Sequence, residues 1–293
     1  MKQTIAVTGA TGGLGRRVAE RLSAAGADLR LVVRDAGRVR FLPGSEVTEN
    51  PGGYADGEGF AAALDGVHTL YLVSAAEAED RVQQHRTAVA AAARAGVRRI
   101  VYTSFLGAAA DSVFTLGRHH AATEEAIAAT GVAWTALRHS LYADFVPFLA
   151  VPAGGGAVIA GPGGTGAASF VSRDDCADVA AAVLLDDAGT WDSRALGVTG
   201  PVAVTLAEAA AVLTEVSGVP VTYREETVEQ AWASRRPSGH PDWEIEGWIT
   251  SYTSIAAGEM GAVTDVVPSL TGHRARTLAE QLRAHPEDWA HLR

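Results

Sequence analysis

The sequence predicts an α/β protein, a Rossmann-type doubly wound parallel sheet with a smaller C-terminal α/β lobe. Three observations carry that expectation. Short apolar runs rich in β-branched residues recur at Thr4–Thr8, Leu29–Val33, Val67–Val73, Arg99–Thr103 and Val132–Leu137. Alanine-rich helical stretches lie between them, near Leu14–Ala25, Asp80–Ala95 and His120–Thr130. A glycine-rich turn joins the first strand to the first helix. Strands that are apolar throughout, rather than alternating, are those covered on both faces, which is the habit of a parallel sheet layered between helices.

Taken in order, the first five strands and their helices give a nucleotide-binding domain over residues 1–150, with the smaller lobe over 151–293 and parts of 170–200 completing the first sheet. Gly96 and Gly131 each follow a helical run and precede a strand, which suits helix C-caps. From Val151 to Gly166, Pro152, Gly154, Gly155, Gly156, Gly161, Pro162, Gly163, Gly164 and Gly166 read as a mobile surface loop, or as a segment that orders over a ligand. A helix over Asp174–Leu185, a strand at Leu196–Val198 and a helix over Leu206–Val216 follow. Capping boxes are expected at Thr205 with Glu208, Thr227 with Gln230, and Thr277 with Glu280.

Composition narrows the function. The 293 residues are 47% hydrophobic and 20% charged, a globular balance that excludes a disordered chain. No run approaches about 18 apolar residues, so no membrane helix is expected. No signal-peptide layout precedes Thr4-Ile5-Ala6-Val7, and the single Cys176 fits a reducing compartment, so the expected location is the cytoplasm. A formal charge of −10 disfavours nucleic acid as a partner. The 24 basic residues include one lysine, Lys2, ahead of the first strand. Chemistry that needs an interior ammonium, such as a Schiff base, a Walker lysine or a Tyr-x-x-x-Lys pair, is thereby excluded.

The strongest motif is Thr8-Gly9-Ala10-Thr11-Gly12-Gly13-Leu14-Gly15, a G-x-x-G-x-x-G spacing at a strand–helix junction. Missing side chains let backbone N–H groups approach a pyrophosphate, and the helix N-terminus favours the anion. Arg34 ends the second strand, where an arginine would select the 2′-phosphate of NADP; Asp35, one residue on, would select the ribose of NAD, and Arg34 also reads as a solvated strand end. NADP is the favoured coenzyme. Ser74, Thr103 and Ser104 stand at the carboxyl ends of two further strands, where they face the nicotinamide half or serve as caps.

Together with Leu70-Tyr71-Leu72-Val73-Ser74, Gln84-His85-Arg86, Ile100-Val101-Tyr102-Thr103-Ser104, Thr123-Glu124, Trp134-Thr135-Ala136-Leu137-Arg138 and Leu270-Thr271-Gly272-His273, the fingerprint resembles the NmrA-like atypical short-chain dehydrogenases. Within them it is most similar to bacterial type 2 NAD(P)H:quinone oxidoreductases and the related triphenylmethane reductases. The resemblance implies a Rossmann domain, a small C-terminal lobe and a cleft between them. It implies that Gly9 to Leu14 hold the pyrophosphate, Arg34 the 2′-phosphate and Ser74 the ribose region, with Arg138 to Tyr142 flanking the nicotinamide. Where the quinone reductases have Asn-Gly-Trp-Tyr after the arginine, this chain has His139-Ser140-Leu141-Tyr142, which keeps the tyrosine and changes the wall. The family also contains NADP-binding regulators that do not turn over.

Without a Tyr–Lys pair, reducing a simple ketone is hard, because the alkoxide product rivals hydroxide in basicity, with water's pKa at about 15.7. A quinone yields a phenolate whose acid has a pKa of about 10, and water completes that protonation. The expected function is therefore NADPH-dependent reduction of a conjugated, quinone-like small molecule, beside a non-catalytic NADP-sensing regulator or a biosynthetic reductase with a dedicated intermediate. Candidate catalytic groups are His120, expected at a helix N-terminus as a neutral hydrogen-bonding imidazole, and Tyr142. Phe105, His139, Tyr142, Phe145 and Trp243 are candidates for the substrate pocket, against core packing or lobe anchoring as alternatives. No metal site is expected: Asp174, Asp175 and Asp178 lack the glycine and glutamate of a calcium loop and read as a solvated helix start. The expected partner is a small molecule, and a homodimer is admitted.

Overall fold

The computed structural model describes residues 3–293, so Lys2 lies outside the described residues. In chain order the elements are β1 (Ile5–Thr8), α1 (Gly13–Ala24), β2 (Leu29–Val33), β3 (Ser45–Glu49), α2 (Gly57–Ala63), β4 (Thr69–Leu72), α3 (Arg81–Arg94), β5 (Arg99–Phe105), α4 (Thr115–Ala128) and β6 (Ala133–His139). Then come β7 (Ala150–Ala153), β8 (Gly156–Gly161), β9 (Ala167–Ala168), α5 (Arg173–Leu184), β10 (Arg194–Val198), β11 (Val204–Thr205), α6 (Leu206–Ser217), β12 (Val221–Glu225), α7 (Val228–Arg235), α8 (Asp242–Ala256), α9 (Val266–Thr271) and α10 (Leu278–Ala284). Among the described residues, no helix is long and apolar enough to cross a membrane.

Seven strands form one sheet in the order β10-β6-β5-β4-β1-β2-β3. β1 pairs in parallel with β2 (Ile5 opposite Leu29) and with β4 (Ile5 opposite Thr69). The chain winds outward in both directions from the β1–β4 pair, which makes the carboxyl ends of these strands a topological switch point and the natural crevice for a ligand. β1 and β4 are buried at every residue, as uniformly apolar strands between helical layers must be. Behind them Phe60, Leu64, Leu70, Val89, Ile100, Tyr102 and Ile127 form one core.

The chain divides into two compact units. The first comprises the chain up to Phe105, His119–Arg138 and Cys176–Leu196; the second comprises Leu106–Arg118, His139–Asp175 and Gly197–Arg293. In the second unit, β12, β8 and β7 form a three-stranded sheet and β11 pairs with β9. The three capping boxes form as expected, at Thr205, Thr227 and Thr277.

Four local expectations are corrected. The glycine-rich stretch is a loop only over 162–166: before it, β7 and β8 make an antiparallel hairpin, and β8 pairs in parallel with β12. Gly154 and Gly155, both at positive φ, form its two-residue turn. Gly161 lies against the Tyr252 ring and Gly166 against the Ile255 carbonyl, where a Cβ would stand 2.5 and 2.1 Å from them, so these glycines serve close packing rather than mobility. α4 begins at Thr115, placing His120 in its second turn instead of at its start. Asp175 is not solvated but fully buried, and it accepts from the Arg276 backbone amide while pairing with the Arg276 guanidinium. Strand β3, whose Ser-Glu-Val-Thr-Glu sequence carries little apolar signal, is an additional edge strand.

The strand–helix junction at α1 is packed backbone against backbone. A Cβ on Gly15 would sit 2.4 Å from the Gly9 carbonyl oxygen and 2.7 Å from that of Thr8, both backbone atoms. Gly15→Ala is expected to lower unfolding free energy by about 1–3 kcal/mol through overpacking. A urea midpoint equal to that of the wild-type protein would show that the junction has slack.

Candidate active site

At the switch point, the Thr8 hydroxyl stitches the two strands together. It donates to the Tyr71 carbonyl at 3.1 Å and accepts from the Val73 amide at 2.8 Å, while the Tyr54 hydroxyl lies 2.7 Å from it and 2.6 Å from the Val73 carbonyl. Thr8 therefore ties the frame together, and it also borders the cavity that opens there. Burial pushes the Tyr54 phenol well above its ordinary pKa, with the Thr8 hydrogen bond opposing, so it stays a neutral donor.

The turn that follows is built for close approach. Gly9 adopts φ +63°, and a Cβ there would meet Val73 at 3.1 Å; its carbonyl accepts from the Gly12 amide at 2.8 Å. Gly12 is the N-cap of α1, with no side-chain cap and no acidic residue in the first turn. The positive end of the α1 dipole and its leading amides are thus left for an external anion. Ala10, Thr11, Gly13 and Leu14 complete this turn, and Ala10 and Leu14 are buried.

A cavity of about 470 Å³ opens beside the turn, wholly within the first unit. Its wall includes Gly9, Thr11, Arg34, Asn50–Ala55, Val73 and Ser74–Ala78. Arg34 is exposed and lines it, whereas the Asp35 carboxylate is turned to the Gly37 amide at 2.9 Å and caps a short 3-10 turn. The neighbouring residues therefore separate into a cation on the cavity and a carboxylate spent on the backbone. Sequence reasoning missed the opposite wall, although Asn50-Pro51-Gly52-Gly53 is a strong turn signal.

Of the other candidates in the first unit, Thr103 is buried and its Oγ1 accepts from the Ser74 amide at 2.6 Å. Arg138 makes a two-pronged ion pair with Glu124, at 2.9 and 2.6 Å, and the Ser104 hydroxyl donates to the same carboxylate at 2.5 Å. Arg138 thus ties β6 to α4. His120 is buried: its Nε2 faces Arg81 at 3.2 Å and its Nδ1 the Tyr102 hydroxyl at 2.9 Å, with Phe105 stacked 5.9 Å from the ring. Because a guanidinium only donates, Nε2 must accept, and the imidazole is neutral through this contact rather than through a helix N-terminus.

The second unit holds the remaining candidates. His139 is buried, its Nδ1 lying 3.1 Å from the Tyr142 hydroxyl, and burial, aided by the nearby Arg173 charge, pushes its pKa down to about 3. Arg173 lies over the Tyr142 ring at 4.3 Å and is ion-paired to Asp144. Phe145 is half exposed, and Trp243 is half-buried in the first turn of α8.

Residues 9–187 match the NAD(P)H-binding family. The chain is 31% identical to an NAD(P)H azoreductase of Xenophilus azovorans over 96% of its own length and 97% of the relative's. It is 33% identical to quinone oxidoreductase 2 of Escherichia coli (strain K12) over 95% and 97%. Its structure superposes with a TM-score of 0.84 on the crystal structure of an NADPH-dependent quinone oxidoreductase from Escherichia coli complexed with NADPH, at 31% identity and covering 97% and 99% of the two chains. Built on that sheet and that glycine turn, and alike over nearly its full length, the chain belongs to the NAD(P)H-binding, NmrA-like family of oxidoreductases.

Proposed function

We propose that the protein is an NADPH-preferring reductase of flat, conjugated small molecules of the quinone or azo type. The observation that carries the coenzyme preference is the division of labour between Arg34, on the cavity, and Asp35, committed to the Gly37 amide. In this reading the amides from Gly9 to Leu14 and the N-terminus of α1 hold the diphosphate, Arg34 holds the 2′-phosphate, and the Ser74 wall borders the ribose region. Thr103 and Thr8 position that wall through the Ser74 and Val73 amides.

The acceptor class follows from what the chain does not contain together with what its relatives are called. When bound, the reduced nicotinamide supplies a hydride. Lys2, ahead of β1 in the sequence, is the single lysine, so the chain carries no Tyr-x-x-x-Lys pair to lower the pKa of a tyrosine donor. Acceptors whose reduced form is a weak base need no such donor, and a quinone is of that kind. The quinone oxidoreductase relative supports the same class, and the azoreductase relative supports a flat conjugated acceptor. Catalysis then rests on holding two flat rings in register, with water excluded, rather than on a strong general acid.

Two outcomes test this. Arg34→Ala is expected to weaken NADPH by about ten- to a hundredfold while leaving NADH within about threefold, as loss of one charge-assisted contact requires. Isothermal titration with both coenzymes measures it, and equal weakening would remove Arg34 from the phosphate. Purified protein with NADPH should oxidise the coenzyme in the presence of quinones or azo dyes, but not with simple aliphatic ketones. Tight NADPH binding without oxidation across such a panel would instead make the protein a sensor.

A further inference from the structure

His85 is fully buried on α3, and so is Thr123 on α4. The His85 Nε2 accepts from the Ala75 backbone amide at 2.8 Å. Its Nδ1 lies 2.8 Å from the Thr123 hydroxyl, whose own proton goes to the His119 carbonyl at 2.8 Å. Thr123 therefore accepts, and His85 must donate from Nδ1. The two ends of the ring independently require the same neutral tautomer, with the proton on Nδ1. Burial, reinforced by the adjacent Arg81 and His119, lowers the His85 pKa to about 3, which keeps that state through the neutral range.

Ala75 is also held from its other side. Arg81, four residues before His85 and on the same face of α3, donates from Nε to the Ala75 carbonyl at 3.0 Å. Both polar backbone groups of one residue are thus fixed by two side chains of one helix. That residue sits within Ser74–Ala78, which forms one wall of the 470 Å³ cavity.

We propose that His85 is a positioning residue of this cavity: through the Ala75 amide it fixes the Ser74–Ala78 wall and so sets the affinity for a nicotinamide dinucleotide. The second half rests on the functional reading above. A half-buried amide that loses its acceptor must turn toward water or another partner, which shifts the wall.

Two amide substitutions separate the two ends of the ring. In His85→Gln the side-chain oxygen reaches the former Nε2 position and can accept from Ala75. The shorter His85→Asn reaches only the Nδ1 end and can serve Thr123 alone. His85→Asn is expected to speed hydrogen exchange at the Ala75 amide in the unliganded protein and to weaken NADPH by about tenfold, while His85→Gln returns both to within about threefold of wild type. Slow exchange in His85→Asn, or equal losses of affinity in both variants, would overturn the proposal. Nitrogen NMR of the wild-type imidazole needs no variant to fold: the Nδ1-protonated tautomer is expected at pH 7, and an Nε2-protonated ring would refute the wiring. If the wild-type protein takes up no dinucleotide, the functional reading and the affinity claim fall together. Exchange at Ala75 then still decides whether His85 fixes the wall.

Discussion

A parallel sheet creates its own problem at the switch point. β1 and β4 both end there, each presenting backbone amides and carbonyls that no further strand will pair, in a place too buried for water to serve them all. The rest of the first unit is arranged around satisfying those groups without filling the crevice. Thr8 serves Tyr71 and Val73, Thr103 serves Ser74, and His85 with Arg81 serves Ala75. Thr103, His85 and Arg81 do this from outside the cavity lining, while Thr8 borders the cavity. Glycine backbone, the open N-terminus of α1 and Arg34 are among the groups left on the crevice side, beside Thr11, Glu77 and Gln84.

Several polar residues that the sequence offers as candidate ligand contacts also have partners in the framework. Arg138 is fixed by Glu124, and Glu124 also receives Ser104, so that one carboxylate joins β5, β6 and α4. Buried charges of this sort persist when paired and fully hydrogen-bonded, because removing one partner strands the other. His120 belongs to the same framework: its ring nitrogens lie against Arg81 and Tyr102, and burial raises the Tyr102 phenol so that it too stays neutral.

How much of this was legible depended on whether the signal was local. The strands around β1, β4 and β5 were readable because burial on both faces demands continuous apolar residues, and the three capping boxes because their chemistry spans four residues. Gly9 and Gly12 stood out because a strand–turn–helix junction with that spacing is itself a local pattern. The glycines of 154–166 were misread for the same reason: composition marks them as turn-formers, but Gly161 and Gly166 answer to Tyr252 and Ile255, some ninety residues away. Asp175 was misread likewise, since its partner Arg276 is distant in sequence. The competition between Arg34 and Asp35 lay beyond sequence altogether. It turns on which way each side chain points, and a 2.9 Å bond to Gly37 decides that for Asp35.

The identity of the interior cation bears on the chemistry. In place of a lysine, the first unit buries Arg81 beside two imidazoles. A lysine in such surroundings gives up its proton readily, because desolvation lowers its pKa toward neutrality, and it can therefore serve in proton transfer. A guanidinium keeps its proton above pH 12 and acts only as a fixed donor. His85, held near pKa 3, is equally inert as a base at neutral pH, and the Tyr54 and Tyr102 phenols are raised rather than lowered. His85, Tyr54 and Tyr102 are thus all moved away from the range in which they could exchange protons at neutral pH. On the proposed function, a site so arranged would leave proton supply to water, which would suit acceptors whose reduced forms are weak bases over those whose reduced forms are not.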